Sequence, residues 1–227
     1  FARLLGNSPL QIELTLMTTA SYQPKNEETT YLNEFYYTLD EIKNNFYDAL
    51  IITGAPVETL PFEEVAYWKE LVKIIEWSDT HVFQRVGICW GAQALLYHQF
   101  QIPKYSLEDK IFGIFSHQIN QAKLRLMQGF TDNFPMPVSR HTETKISDIK
   151  EYLHFDILAY SERAGIGMII NNNNDDFFIF NHLEYDFDTL HKEYKRDLKS
   201  NQKILMPENY YPENNINNLP TNIWRPF

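Results

Sequence analysis

The segment Gly87-Ile88-Cys89-Trp90-Gly91 places a cysteine between two glycines, after an apolar run and before a helical pattern. Flanking glycines permit a turn too tight for a Cβ atom, and such a turn lifts a nucleophile above the carboxyl edge of a sheet. The N-terminus of the following helix favours a thiolate, because its free N–H groups and dipole stabilise negative charge. The pattern predicts a nucleophilic Cys89, and a buried structural cysteine is the alternative.

A thiol nucleophile needs a base and an anion that orients the base. Among the seven histidines, His182 is best placed, because it follows the apolar run from Phe177 to Phe180 and precedes Glu184 by two residues. Alternate residues of an extended segment project to the same side, so His182 and Glu184 can share a face at the carboxyl edge of the sheet. An ordinary surface histidine is the alternative.

Other classes of site find no support in the sequence. There is no H-E-x-x-H, no cysteine pair and no H-x₃₋₅-H with matching partners, which disfavours a metal site. No G-x-G-x-x-G or Walker sequence occurs. Thirty acidic residues against 20 basic ones give a net charge of -10, so nucleic acid and anionic membranes are not expected partners. Small molecules or proteins are expected instead.

The elements around Cys89 alternate between strand and helix. Ala49 to Thr53 and Val82 to Cys89 are short apolar runs typical of strands buried on both faces. Apolar residues recur at helical spacing between them, and Trp90 to Phe100 has the pattern of the next helix. This order predicts parallel βαβ units. The same sheet is expected to be completed by extended runs at 112–119, 155–160, 167–170 and 177–180, and a charged helix is expected at 188–198.

The length of 227 residues and the hydrophobic content of 44% fit one globular domain. Strict alternation from Leu10 to Leu16 predicts an edge strand with one buried face. One cysteine cannot form an internal disulfide, and no stretch of about 18 apolar residues occurs, so we expect a cytoplasmic protein. Because the chain starts at Phe1 rather than Met, we expect a segment upstream.

Cys89 at an elbow, followed later by His182 and Glu184, resembles the class I glutamine amidotransferase-like superfamily, whose triad runs Cys, His, Glu. More specifically, the chain resembles the homoserine O-acyltransferases of methionine biosynthesis, the MetA type. The resemblance implies a flavodoxin-like α/β fold, with a mostly parallel sheet and helices on both faces. It also implies one acyltransferase domain over residues 1–227, without the family's N-terminal strand and C-terminal end. The matching stretches are 4–11, 33–36, 53–56, 65–68, 89–94, 102–104 and 182–186.

The resemblance implies that Cys89 carries the acyl group taken from acyl-CoA, with His182 and Glu184 completing the triad. Two transfers through one site imply ping-pong kinetics without a bound cofactor. The backbone N–H groups of Trp90 and Ala55 are candidate oxyanion donors. In many relatives, proline stands at the position of Leu183 and glycine often stands at that of Asn181.

The resemblance also implies substrate contacts: Arg196 binds the homoserine carboxylate, and Lys110 and Ser139 lie at further contact positions. In the family, glutamate at the position of Glu58 marks users of acetyl-CoA, and glycine there marks users of succinyl-CoA. A carboxylate at that position would also repel the terminal carboxylate of a succinyl group. From the residues alone, Arg196 is a solvated helix charge and Glu58 a solvated loop residue.

The sequence therefore favours acetyl transfer from acetyl-CoA to L-homoserine, and the same reaction with succinyl-CoA is the first alternative. A glutamine amidotransferase would use the same triad to release ammonia, but it would need a synthase partner. A non-enzymatic binding protein with Cys89 as a redox-sensing thiol is a third possibility. Relatives suggest a homodimer.

Overall fold

The computed structural model describes residues 1–21, 34–120, 127–200 and 204–225. Two compact units are present: Phe1–Leu50 with Leu60–Phe83, and Ile51–Thr59 with Gln84–Phe227. This division does not decide whether residues 1–227 act as one acyltransferase domain, which stays a prediction. In the described ranges, no helix is long and apolar enough to cross a membrane, and no three His, Cys, Asp or Glu side chains are grouped to hold a metal ion.

The first unit is mainly helical. Its elements are α1 (Ala2–Leu5), α2 (Leu39–Ile42), a 3₁₀ helix (Phe62–Glu64), α3 (Trp68–His81), β1 (Leu16–Met17) and β2 (Tyr36–Tyr37). Helix α2 begins at a capping box, in which the backbone N–H of Thr38 donates to Glu41 Oε2 at 2.7 Å. Helix α3 buries Leu71, Ile74 and Ile75, as the helical spacing of its apolar residues predicts.

The prediction of a strand from Leu10 to Leu16 is wrong for most of that segment. Only Leu16–Met17 forms a strand, which pairs in parallel with Tyr36–Tyr37. Leu10 is 74% exposed, and Ile12 and Leu14 are exposed as well. Alternation creates a buried face only where a strand has neighbours that cover it, and the residues before Leu16 have no strand partner among those described.

The second unit carries most of a seven-stranded sheet. Its strands are β3 (Tyr47–Ile52), β4 (Val82–Ile88), β5 (Tyr105–Ile119), β6 (Asn133–Glu143), β7 (Phe155–Ser161), β8 (Gly165–Asn171) and β9 (Phe177–Ile179). Their order in the sheet is β3-β4-β9-β8-β7-β5-β6, and β3 and β4 enter this unit at residues 51 and 84. The helices are α4 (Trp90–Phe100), α5 (Ile146–Lys150), α6 (Thr189–Lys199) and a 3₁₀ helix (Pro212–Asn214).

The α/β class is confirmed, and the mostly parallel sheet expected from the sequence is corrected to a mixed one. Strands β4 and β9 pair in parallel, whereas β8 pairs antiparallel with both β9 and β7. Strand β5 also pairs antiparallel with β6 and β7. The connections on either side of β8 are hairpin loops, which are too short for the crossover that a parallel pair needs.

Strand β6 is an element that the sequence did not predict. It contains Pro135 and Pro137, which lack the N–H group that a ladder hydrogen bond requires. Both prolines are tolerated because β6 is the last strand in the sheet order, and prolines in sheets occur mainly on such edges. In the register, Pro135 faces Ser116 and Pro137 faces Ile114 on β5. This strand positions three residues of the site described next.

Candidate active site

Cys89 occupies a strained turn between β4 and α4. Its φ of 53° and ψ of -119° lie in a region that L-residues rarely adopt. A Cβ atom on Gly91 would lie 2.1 Å from the carbonyl oxygen of Ile52, and one on Gly87 would lie 2.5 Å from the Cα atom of Ala92. The predicted elbow is therefore present, and both glycines are required by space.

The thiol of Cys89 lies at the N-terminus of α4 and is partly exposed. The backbone carbonyl oxygen of Cys89 accepts a hydrogen bond from the N–H of Ala92 at 3.1 Å. A Cβ atom on Gly54 would lie 3.6 Å from Cys89 Sγ, so the turn after β3 lies against the Cys89 thiol. The predicted oxyanion donors, Trp90 and Ala55, belong to the two segments that meet at this thiol.

His182 is held between a carboxylate and the thiol. Its Nδ1 lies 2.7 Å from Glu184 Oε1, and its ring stacks on Tyr185 with 4.2 Å between centroids. Its backbone N–H donates to the carbonyl of Pro137 on β6 at 2.9 Å. Because Glu184 holds Nδ1, Nε2 is the ring nitrogen left for Cys89, to which His182 is hydrogen-bonded. The structure therefore brings together the three side chains that the sequence assigns to a triad.

The charge of His182 follows from its neighbours. Burial alone would lower the pKa of His182, because burial disfavours the imidazolium. The negative charge of Cys89, the hydrogen bond to it and the interactions with Glu184 outweigh burial and raise the pKa to about 10. The imidazolium therefore persists at neutral pH. A positive charge beside a cysteine favours the thiolate, which is its reactive form.

Lys110 and Arg196 meet at one buried carboxylate, that of Asp197. Lys110 Nζ donates to Asp197 Oδ2 at 3.0 Å, and Arg196 Nε donates to Oδ1 at 2.8 Å. Burial alone would raise the pKa of Asp197, but the hydrogen bonds from Arg196 and Lys110 lower it. The Lys110 side chain is 9% exposed and that of Arg196 is 63% exposed. Of this pair, Arg196 is the cation open to a ligand.

Glu193 on α6 links the remaining predicted contact residue to the base. Ser139 on β6 donates to Glu193 Oε2 at 2.6 Å, and the Tyr185 hydroxyl donates to Oε1 at 2.5 Å. Burial and the charge of Glu193 raise the pKa of Tyr185, so the phenol stays a donor beneath His182. Sequence reasoning missed Glu193, and its one signal was its spacing of three residues before Arg196 on a charged helix.

The carboxylate of Glu58 is held against β6. Its Oε2 accepts hydrogen bonds from the backbone N–H of His141 at 2.9 Å and from the Thr142 hydroxyl at 3.5 Å. Its backbone carbonyl accepts a hydrogen bond from Lys104 Nζ at 2.5 Å. Glu58 is therefore an ordered residue rather than a solvated loop glutamate. Arg140, another residue that sequence reasoning missed, interacts electrostatically with both Cys89 and Glu58.

Comparison with known proteins shows which family the sequence matches. The homoserine O-succinyltransferase family model matches residues 1–226. The homoserine O-acetyltransferase of Clostridium beijerinckii is 48% identical over 223 residues, which cover 98% of this chain and 73% of the relative. The homoserine O-acetyltransferase of Lachnoclostridium phytofermentans is also 48% identical over 223 residues, which cover 98% of this chain and 74% of the relative.

A solved structure shares the fold. A glutamine amidotransferase from Thermotoga maritima matches with a TM-score of 0.53 and 14% identity, over 76% of this chain and 77% of that one. At this identity the likeness concerns the fold alone. It confirms the predicted glutamine amidotransferase-like architecture.

The coupling of His182 to Cys89 can be measured directly. We predict that Cys89→Ser lowers the pKa of His182 from about 10 toward its ordinary value of 6.5, because a serine hydroxyl carries no negative charge. NMR titration of ring-labelled histidines in the parent and the variant measures this, with the signal assigned from His182→Gln. His117, whose pKa burial lowers to about 4, is the internal control. A His182 pKa that does not move would contradict the coupling.

Proposed function

The chain belongs to the homoserine O-succinyltransferase family, and we propose that it transfers an acetyl group from acetyl-CoA to the γ-hydroxyl of L-homoserine, a step of methionine biosynthesis. Both relatives described above are named homoserine O-acetyltransferases. The observation that carries the proposal is His182, held between Glu184 at 2.7 Å and the thiol of Cys89. Transfer through a cysteine requires a base placed in this way.

In the first half-reaction, the Cys89 thiolate attacks the thioester carbonyl of the acyl-CoA. The bond from the carbonyl carbon to Cys89 Sγ forms as the bond to the coenzyme A sulfur breaks. The His182 imidazolium gives its Nε2 proton to the departing thiolate. The backbone N–H groups of Trp90 and Ala55 stabilise the oxyanion of the intermediate. This step leaves acetylated Cys89, neutral His182 and free coenzyme A.

In the second half-reaction, neutral His182 accepts the proton of the homoserine γ-hydroxyl as that oxygen attacks the acyl carbonyl. The bond to Cys89 Sγ then breaks, which releases O-acetylhomoserine and restores the thiolate beside the imidazolium. Glu184 keeps Nδ1 protonated, so that Nε2 can accept and return the proton. His182 gives up one proton in the first half-reaction and takes one back in the second, so the enzyme returns to its starting protonation state.

The charges on α6 fit the acceptor. Glu193 and Arg196 lie three residues apart and so face the same side of the helix. An anion and a cation at this spacing complement the α-ammonium and α-carboxylate groups of an amino acid. Lys110 supports Arg196 through their shared contact with Asp197. In this proposal, Ser139 holds Glu193 in place by the hydrogen bond between them.

The donor is proposed to be acetyl-CoA because Glu58 places a carboxylate beside the site. That carboxylate is ordered by the backbone N–H of His141, and a succinyl group would bring a second negative charge toward it. An amidotransferase is less well supported, because the structure of that name is 14% identical to this chain. A thiol-sensing protein would not need His182 between Cys89 and Glu184. The cytoplasmic location and the homodimer stay predictions.

The first test is formation of O-acetyl-L-homoserine from acetyl-CoA and L-homoserine, measured by mass spectrometry. Cys89→Ser should lower turnover at least about a hundredfold, because a hydroxyl is a far weaker nucleophile than a thiolate. An unchanged thermal unfolding midpoint serves as the folding control. A variant with more than about a hundredth of the parent rate would remove Cys89 as acyl carrier. Ammonia release from glutamine, without acetyl transfer, would favour the amidotransferase.

The role of Arg196 separates the two half-reactions. Arg196→Ala should raise the KM for homoserine about ten- to a hundredfold, because a charge-assisted hydrogen bond contributes about 1.5–3 kcal/mol. Single-turnover acylation of Cys89 by acetyl-CoA should remain within about threefold of the parent. Lys192→Ala, which removes an exposed cation on the same helix, is the matched control. Acylation that falls as steeply as overall turnover would exclude a role confined to homoserine.

A further inference from the structure

Arg140 is a buried cation beside the proposed acyl site. It lies on β6, and the residue is only 4% exposed. One terminal nitrogen donates to Asn181 Oδ1 at 3.0 Å, and the other donates to the carbonyl of Ala164. Asn181 directly precedes the base, His182. The guanidinium is therefore tied to the segment that carries the base.

A neutral histidine sets the direction of these hydrogen bonds. His117 Nδ1 lies 2.9 Å from the carbonyl of Phe115, and a carbonyl can only accept, so Nδ1 carries the proton. His117 Nε2 is then an acceptor, and the amide nitrogen of Asn181 donates to it at 2.9 Å. The amide oxygen of Asn181 is thereby turned toward Arg140. Burial lowers the pKa of His117 to about 4, which keeps the ring neutral and the orientation fixed.

The third nitrogen of the guanidinium has no such contact. Arg140 Nε is buried and has no hydrogen-bond partner in the part of the chain that the structure describes. Buried polar groups are nearly always hydrogen-bonded, so an exception calls for an explanation. A substrate group that accepts a hydrogen bond from Arg140 Nε would explain why this nitrogen has no partner among the described residues.

The carboxylate of Glu58 lies on the same face of β6 as Arg140. Alternate residues of a strand share a face, which places Arg140 and Thr142 together. The Thr142 hydroxyl contacts Glu58 Oε2 at 3.5 Å, and the N–H of His141 between them donates to the same oxygen. Arg140 interacts electrostatically with Cys89, Glu143 and Glu58. Glu58 is thus one of two carboxylates that balance this cation.

We propose that Arg140 is the residue that makes Glu58 decisive for the acyl donor: Glu58 neutralises Arg140, and without Glu58 the Arg140 Nε–H binds the terminal carboxylate of a succinyl group. This inference rests on the proposed acyltransferase function. It assigns Arg140 as a second specificity-determining residue. The attraction of the uncovered cation then adds to the loss of space-filling and repulsion when Glu58 is removed.

The two effects are separable by a donor without a charge. Succinyl and butyryl groups have four carbons each, but only the succinyl group ends in a carboxylate. If Glu58 acts only by filling space, Glu58→Gly improves use of both donors equally. If Glu58 acts only by repulsion, its removal favours succinyl-CoA whether or not Arg140 is present. Dependence of the gain on Arg140 therefore distinguishes the proposal from both.

The experiment measures kcat/KM for succinyl-CoA and butyryl-CoA in the parent, in Glu58→Gly and in Glu58→Gly/Arg140→Met. Glu58→Gly should raise the succinyl-to-butyryl ratio at least about tenfold, the size of one charge-assisted hydrogen bond. In the double variant with Arg140→Met, the succinyl-to-butyryl ratio should be at least about tenfold lower than in Glu58→Gly. The control Glu58→Gly/Arg163→Met removes an exposed arginine that pairs with Glu208, and it should match Glu58→Gly.

A double variant that keeps the full succinyl gain would overturn the proposal, since the cation would then be irrelevant. If Arg140→Met prevents folding, the salt dependence of Glu58→Gly decides. A succinyl-to-butyryl ratio in this variant that is unchanged from the parent, or raised but insensitive to salt, defeats the proposal. A raised ratio that falls as salt is added supports it, because only attraction to a remaining cation can be screened in this variant. Intact mass separates the two levels of inference. Parent protein that no acyl-CoA acylates would refute the transferase function and this inference together. Acylation with an Arg140-independent ratio refutes this inference alone.

Discussion

The parallel pairing of β4 with β9 is the contact on which the active site depends. Its register aligns Ile88 with Ile179, and the N–H of Cys89 donates to the carbonyl of Ile179 at 2.7 Å. Because parallel strands end at the same edge of a sheet, Cys89 after β4 and His182 after β9 meet there. Antiparallel pairing of these two strands would place them at opposite edges. Strands β5, β6, β7 and β8 pair antiparallel among themselves, and β8 also pairs antiparallel with β9, so the arrangement comes from the pairing of β4 with β9.

The second organising feature is that buried charges of the candidate site lie near opposite charges. Glu184 faces His182, Asp197 faces Lys110 and Arg196, and Glu58 lies near Arg140. Removing one partner from a buried pair typically costs about 3–5 kcal/mol, which applies here to the pair of Lys110 and Asp197. In the proposed function, substrates enter this set as further charges: the acceptor at Glu193 and Arg196, and the acyl donor near Arg140. Specificity in this account comes from which charges are already balanced before a substrate binds.

The meeting of Cys89 and His182 was predictable because their signals are local. Gly87 and Gly91 indicate the elbow, and the spacing of His182 and Glu184 places both side chains on one side of an extended segment. Glu193 and Arg140 gave no comparable signal. Glu193 contacts Ser139 and Tyr185, and Arg140 contacts Asn181 and Ala164, and no local pattern encodes these contacts. Strand β6 itself escaped prediction because Pro135 and Pro137 argue against a strand until its place at the sheet edge is known. The strand prediction for Leu10 to Leu16 was wrong for the opposite reason. The alternation there is clear, but most of the segment has no neighbouring strand among the described residues that would give it a buried face.

The central claim is that Cys89 carries the acyl group between donor and acceptor. The most direct measurement mixes the protein with acetyl-CoA alone, locates the added mass by peptide mass spectrometry, and then adds L-homoserine. The account predicts one acetyl group on the peptide containing Cys89, stable until homoserine is added and then recovered as O-acetylhomoserine. Protein that carries no acetyl group on Cys89 after incubation with acetyl-CoA alone, yet forms O-acetylhomoserine once homoserine is added, would contradict a transfer through the thiol.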